Sequence, residues 1–115
     1  MKPMKRGEVY IVDFGEGIGT EQRGKRPAII IQNNMGNKYS ASTVVVPLTS
    51  KVSKCRLPTH IMIIPNWESS LLWQSVALCE QIRTISKERV GKFFGELSEN
   101  IMEEIDKGIR ISLAV

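Results

Sequence analysis

The stretch PAIIIQN, residues 27–33, governs the reading of the whole chain. Its length, its run of isoleucines and the proline and asparagine at its ends are those of a β-strand. The isoleucines fill consecutive positions, so the strand is apolar on both faces. That suits a small closed barrel or a strongly bent sheet covered by other elements. Outward from it lie further runs of the same kind: EVYIVDF (8–14), TVVVPLT (43–49), THIMIIP (59–65), SVALCEQ (75–81) and GKFFGEL (91–97). Pro47 removes a ladder donor from TVVVPLT, so that strand is expected at an edge or with a bulge. The ending differs. SENIMEEIDKGIRISLAV carries apolar residues at 101, 102, 105, 109 and 113, a helical stripe. Ser98 can cap this helix, its acids lie early and Lys107 and Arg110 lie late. Gly108 weakens it by about 1 kcal/mol relative to alanine. The fold class is therefore mainly β with a C-terminal helix, a barrel of about six strands that the helix closes. NWESSLL (66–72) reads as a short helix between strands and SKERV (86–90) as a further turn.

At 115 residues the chain is read as one domain, 1–115, with room for a single core. Hydrophobic content of 42% and charged content of 24% exclude wholesale disorder. No apolar segment follows the basic start MKPMKRGEVY, so it does not read as a signal peptide. The apolar runs are all far too short to span a membrane. Cys55 and Cys79 fit no metal-ligand spacing and read as reduced thiols of a cytoplasmic protein. The net charge of +4 is unevenly spread: residues 1–60 carry +6 and residues 61–115 carry −2. A basic half suits a polyanion such as nucleic acid, or simply a solvated surface.

What is missing narrows the chemistry. With a single histidine, no two-histidine acid–base pair can form within the chain. No HxxxH, CxxC or metal-spaced carboxylate cluster occurs, and GEGIG (15–19) lacks the lysine and helix of a phosphate loop. Glu103, Glu104 and Asp106 read as a solvated helix face. No metal and no cofactor are expected. The approach to the central strand, TEQRGKR (20–26), is polar and ends in Arg26. Pro27 forces Arg26 into extended geometry at the rim of the core. An arginine anchored there can grip a phosphate with two parallel hydrogen bonds, or be an ordinary rim residue. Thr49 ends its strand and reads as a turn-bonding residue. If it faced Arg26, its hydroxyl could orient a phosphate oxygen instead. His60 reads as a half-buried strand residue with one satisfied nitrogen, and beside a nucleic-acid groove it could stack on a base.

The motifs RGEVYIVDF, GTEQRGKRPAIIIQN, GNKYS, VVVPLTS, LPTHI and EQIRTI occur in this order ahead of the C-terminal helix. From about Lys5 to Leu113 the chain resembles the MazF/PemK (Kid) family of toxin endoribonucleases, especially its Gram-positive branch. That resemblance implies an SH3-like small barrel of the CcdB/PemK type and a cytoplasmic homodimer. It also implies metal-independent, sequence-specific cleavage of single-stranded RNA (mRNA) by ribose 2′-OH attack, leaving 2′,3′-cyclic phosphate and 5′-OH ends. The Gram-positive branch implies a pentamer containing UAC as the cleavage motif. The partner implied is a MazE-like antitoxin whose disordered tail lies along the RNA groove.

The same resemblance implies roles for individual residues. Arg26 is the general acid and base, and Thr49 positions the scissile phosphate, with Ser50 beside it on the RNA. Thr20, Glu21 and Gln22 contact RNA from a mobile lid, TEQRGK. Leu57, Pro58, Thr59, His60, Glu80 and Gln81 line the groove where bases are read. Arg26 and Thr49 are both expected at an exposed rim. PNWESSLLW (65–73) departs from the family pattern, and Trp67 and Trp73 read as core or dimer-surface residues in preference to base-stacking ones. The alternatives are a CcdB-like, non-catalytic gyrase poison and a degenerate RNA-binding regulator. The poison class relies on C-terminal aromatic contacts, and this chain ends in ISLAV.

Overall fold

The central strand of the sheet is Ser42–Thr49, and it serves three partners. The computed structural model describes residues 3–65, 71 and 73–115. Within them the strands are β1 (Glu8–Asp13), β2 (Lys25–Ile30), β3 (Ser42–Thr49), β4 (His60–Ile63), β5 (Ser75–Leu78), β6 (Arg83–Ser86) and β7 (Val90–Glu96). The helices are α1 (Asn34–Tyr39) and α2 (Glu99–Leu113). All pairings are antiparallel, in the order β4-β5-β3-β2-β1-β7, with β6 also on β3. β6 pairs with the first half of β3 and β5 with its end. Only the 3₁₀ turn Lys87–Arg89 separates β6 from β7, which lies at the far end of the order. The sheet must therefore curl until its ends approach. Register shifts between β1 and β7 on either side of Tyr10 supply part of that bend.

Curling explains why the strands are apolar on both faces. Val9, Ile29, Val46 and Leu48 face one core cluster, with Ile105 and Met102 of α2 laid over it. Val12, Ala28, Ile30, Val45 and Ile85 face a second cluster around Phe14. Neighbouring positions of β2 and β3 thus enter different cores, and neither face is left for polar residues.

The expected helix forms as α2. Ser98 Oγ accepts from the Ile101 N–H at 3.3 Å, and Ala114 ends the helix in the left-handed conformation. Arg6 ties it to the sheet: its guanidinium donates to Asp106 at 2.5 Å and to the Ile31 carbonyl at 2.8 Å. Gly108 has a role that its helix propensity hides. A Cβ there would lie 2.8 Å from Cys79 Sγ and 3.0 Å from Ile61 Cγ1. Cys79 cannot easily move, because it is wholly buried with its thiol held near the Ile105 carbonyl. Burial, aided by Glu80 and Asp106, pushes that thiol up to about 12. Gly108→Ala gains about 1 kcal/mol of helix propensity but overpacks the contact, which typically costs about 1–3 kcal/mol. The expected outcome in urea denaturation is a lower midpoint at unchanged slope; a raised midpoint would contradict it.

Several expectations need correction. There are seven strands among the described residues, not six. The extra one, β6, buries only Ile85 of its four residues and so carries little apolar signal. α1 also went unpredicted, because it is held by polar groups: Asn33 caps it, and Asn37 is buried with its Oδ1 accepting from Thr43 Oγ1 at 2.7 Å. Residues 79–81 form a 3₁₀ turn and do not continue β5. β3 is no edge strand; Pro47 falls where its partner changes from β6 to β5. The turn expected over 86–90 is present as Lys87–Arg89. The short helix expected over 66–72 falls almost wholly on residues outside those described, as does Trp67.

Candidate functional site

The β2–β3 register brings Arg26 and Thr49 together. Ala28 pairs with Pro47 and Ile29 with Val46, so continuing the register past the ladder sets Arg26 opposite Thr49. On its other side Arg26 pairs with Val12 of β1, deep in the core. Its side chain is half-buried, and Nε donates to the Arg23 carbonyl at 2.8 Å. That bond fixes the plane of the guanidinium and leaves both Nη groups for a ligand. Thr49 is 3% exposed, so the expectation of an exposed rim fails for it. Its Oγ1 accepts from the Lys51 N–H at 3.2 Å, which leaves the hydroxyl proton free to donate. Both residues line a hollow of about 540 Å³ that also takes in Arg23, Lys25, Ser50 and Ser75. Among the described residues its lining includes no carboxylate. Trp73 and Phe94 form one wall. Such a hollow attracts an anion and offers it hydroxyl and guanidinium donors.

A strap formed by residues 15–24 borders this hollow. Its base is closed by Gly24 N–H on the Gly15 carbonyl at 2.8 Å and by Phe14 N–H on the Gly24 carbonyl at 2.9 Å. Gly15 and Gly24 sit at φ of 69° and 72°, which side chains other than glycine adopt with strain. Gln81 fastens the far side: its Oε1 accepts from Gln22 N–H at 2.9 Å and its Nε2 donates to the Thr20 carbonyl at 3.2 Å. Arg83 adds a bond to the Phe14 carbonyl at 2.9 Å. In this structure TEQRGK is thus a strap fastened at Thr20, Gln22 and Gly24. Thr20, Glu21, Gln22, Glu80 and Gln81 share a cleft of about 610 Å³. Gln22 is 7% exposed, and its Oε1 is buried with no hydrogen-bond partner among the described residues.

Beyond the strap lies a second hollow, of about 500 Å³, lined by Thr20, Gln22, Leu57, His60, Glu80 and Gln81. His60 is fixed within it. Its Nδ1 accepts from the N–H groups of Arg56 at 3.1 Å and Leu57 at 3.2 Å. Nε2 must therefore carry the hydrogen, and it donates to Glu80 Oε2 at 2.7 Å. Both ring nitrogens are satisfied, where the sequence suggested one. Thr59 Oγ1 donates to the other Glu80 oxygen at 3.2 Å. Thr59 and Pro58 do not line either hollow; Thr59 is buried and holds Glu80 in place.

The residues singled out by sequence thus fall into two groups. Arg26, Thr49 and Ser50 meet in the cationic hollow, while Thr20, Gln22, Leu57, His60, Glu80 and Gln81 meet beyond the strap. Sequence reasoning missed Arg23, Lys25, Ser75 and Phe94 as lining residues. Arg23 and Lys25 stood in plain view beside Arg26, but only the path of the strap shows that they share its hollow. Among the described residues no three His, Cys, Asp or Glu side chains converge as a metal donor set.

The chain is similar to known proteins over nearly its whole length. The family described as "PemK-like, MazF-like toxin of type II toxin-antitoxin system" matches residues 5–113. The chain is 39% identical over 112 residues to Endoribonuclease EndoA of Bacillus subtilis (strain 168), covering 97% of this chain and 96% of that protein. Among solved structures, an endoribonuclease in complex with its cognate antitoxin from a mycobacterial species superposes with a TM-score of 0.80 at 27% identity, over 97% and 96% of the two chains. MazF from Deinococcus radiodurans gives a TM-score of 0.84 at 20% identity over the whole of both chains, a likeness of fold.

Proposed function

The chain belongs to the PemK-like, MazF-like toxins of type II toxin–antitoxin systems and is an endoribonuclease, and from that premise we propose that it cuts single-stranded RNA in the Arg26–Thr49 hollow without a metal ion. The observation that carries this reading is a tethered guanidinium set opposite a threonine hydroxyl that is free to donate, in a hollow lined by cations and, among the described residues, no carboxylate. The scissile phosphate sits between the two side chains. The ribose 2′-oxygen attacks phosphorus as its proton passes to solvent. The bond from phosphorus to the 5′-oxygen breaks, and that oxygen takes up a proton. The products are a 2′,3′-cyclic phosphate and a 5′-OH. A guanidinium is a poor base, so Arg26 acts by stabilising the pentacoordinate phosphorane and hydrogen-bonding the departing oxygen. Thr49 holds a non-bridging oxygen, and Ser50 lies beside it.

From this hollow the RNA passes over the strap into the one beyond. There Thr20, Gln22, Leu57 and the His60–Glu80–Gln81 group meet the bases. The orphaned Gln22 Oε1 suits a base amino or imino donor. Thr59 supports this surface from behind through Glu80, while Pro58 is exposed. The protein works as a single domain and a homodimer in the cytoplasm; among the described residues no helix is long and apolar enough to cross a membrane. An acidic, MazE-like antitoxin segment covers the basic Arg26–Thr49 hollow when it folds onto it.

Incubating the purified protein with single-stranded RNA in excess EDTA tests the reading. Discrete fragments bearing 5′-OH and 2′,3′-cyclic phosphate ends are expected, and mapping those ends gives the cleavage motif. Loss of cleavage in EDTA, or 5′-phosphate ends, would refute the mechanism. RNA binding without any cut would point to a regulator instead.

A further inference from the structure

We propose that Trp73, buttressed by Phe94, is a stacking platform for a nucleobase adjoining the scissile phosphate, an inference that rests on the ribonuclease reading above. The cationic hollow holds more than a phosphate needs. Part of its lining is aromatic, and Trp73 there is 51% exposed. Phe94 meets it edge-to-face, with centroids 6.0 Å apart and planes at 70°. Whichever ring supplies the edge, Phe94 leaves at least one indole face uncovered. The segment is anchored: Trp73 stands two residues ahead of Ser75, which pairs with Ile63 and donates through Oγ to the Trp73 carbonyl at 3.5 Å. A cationic floor with hydroxyl donors beside an open, rigid aromatic face matches phosphate and base together. A second copy of this chain fits the wall less well. A two-fold contact here would set Arg23, Lys25 and Arg26 of one copy against the same cations of the other.

The test uses Trp67→Phe protein, in which Trp73 is the only tryptophan left of two. The ligand is a short single-stranded RNA that the protein binds, made uncleavable by 2′-deoxy substitution and abasic at each position in turn. Binding is expected to quench the indole. One abasic position next to the scissile bond should weaken binding about 5- to 150-fold, the range for loss of one base–aromatic stack. Trp73→Leu should be weakened to a similar degree and show no further loss at that abasic position, while Trp73→Tyr keeps the penalty. An abasic penalty undiminished in Trp73→Leu, no quenching, or conversion of a dimer to a monomer by Trp73→Leu would overturn the proposal. Cleavage of the all-ribose oligonucleotide is scored separately. Its absence would refute the ribonuclease reading, while the binding measurements still decide the stacking.

Discussion

Arg26→Ala is expected to abolish RNA cleavage and leave the fold intact. Loss of a preorganised donor to developing charge typically lowers a rate by about 10²–10³, and loss of proton assistance by about 10²–10⁴. Arg26 supplies both Nη donors, and no other arginine is set opposite Thr49, so the deficit should fall at the upper end. Among the described residues its side chain makes one hydrogen bond, to the nearby Arg23 carbonyl, so truncation costs little stability. Arg26→Lys should fail almost as badly, because an ammonium offers neither the fork nor the tether to the Arg23 carbonyl. Thr49→Ala provides the contrast. It should reduce cleavage by the smaller factor, yet it also removes the buried acceptor of the Lys51 N–H, at a cost of about 0.5–1.5 kcal/mol. Thr49→Ser keeps the hydroxyl and should retain most activity. Single-turnover cleavage alongside thermal melting separates the two effects. A folded Arg26→Ala protein within tenfold of the parent would end this account.

An RNA with one 2′-deoxy nucleotide at the cleavage position should bind with nearly unchanged affinity and remain uncut. The nucleophile is an atom of the substrate, so its removal leaves no bond-forming partner for phosphorus. On the proposed reading the hollow grips phosphate oxygens and base faces, and neither group is altered. Deoxy substitution elsewhere should affect cleavage only modestly. Cleavage of the substituted RNA at that position would mean that water, and not the ribose, attacks. The reading of the cationic hollow as a place for charge stabilisation alone would then fall.

Local pattern carried most of the fold. β2, β3 and β7 are strands because β-branched and aromatic residues fill them, and α2 follows from its cap, its charges and its apolar stripe. Elements built on polar contacts escaped notice. α1 depends on Asn33 and Asn37, and β6 on one isoleucine and a partner strand, none of which alters hydrophobic periodicity. For the site, Pro27 marked Arg26, and the order of the motifs supplied the family.

The sequence by itself determined the mainly β class, the closing helix, the candidates for the chemistry-bearing residues and the absence of a metal-ligand motif. Each of these depends on residue type and near-neighbour spacing. Only the tertiary structure decided that Arg26 faces Thr49, since this depends on the β2–β3 register. It alone decided that Glu80 and two backbone N–H groups fix the His60 tautomer, and that Gln81 fastens the strap. It alone set Trp73 against Phe94 in the same hollow as the cations, and gave Gly108 its place against Cys79. These contacts join residues far apart in the chain, and their geometry comes from how the sheet curls and packs, which no local run of residues encodes.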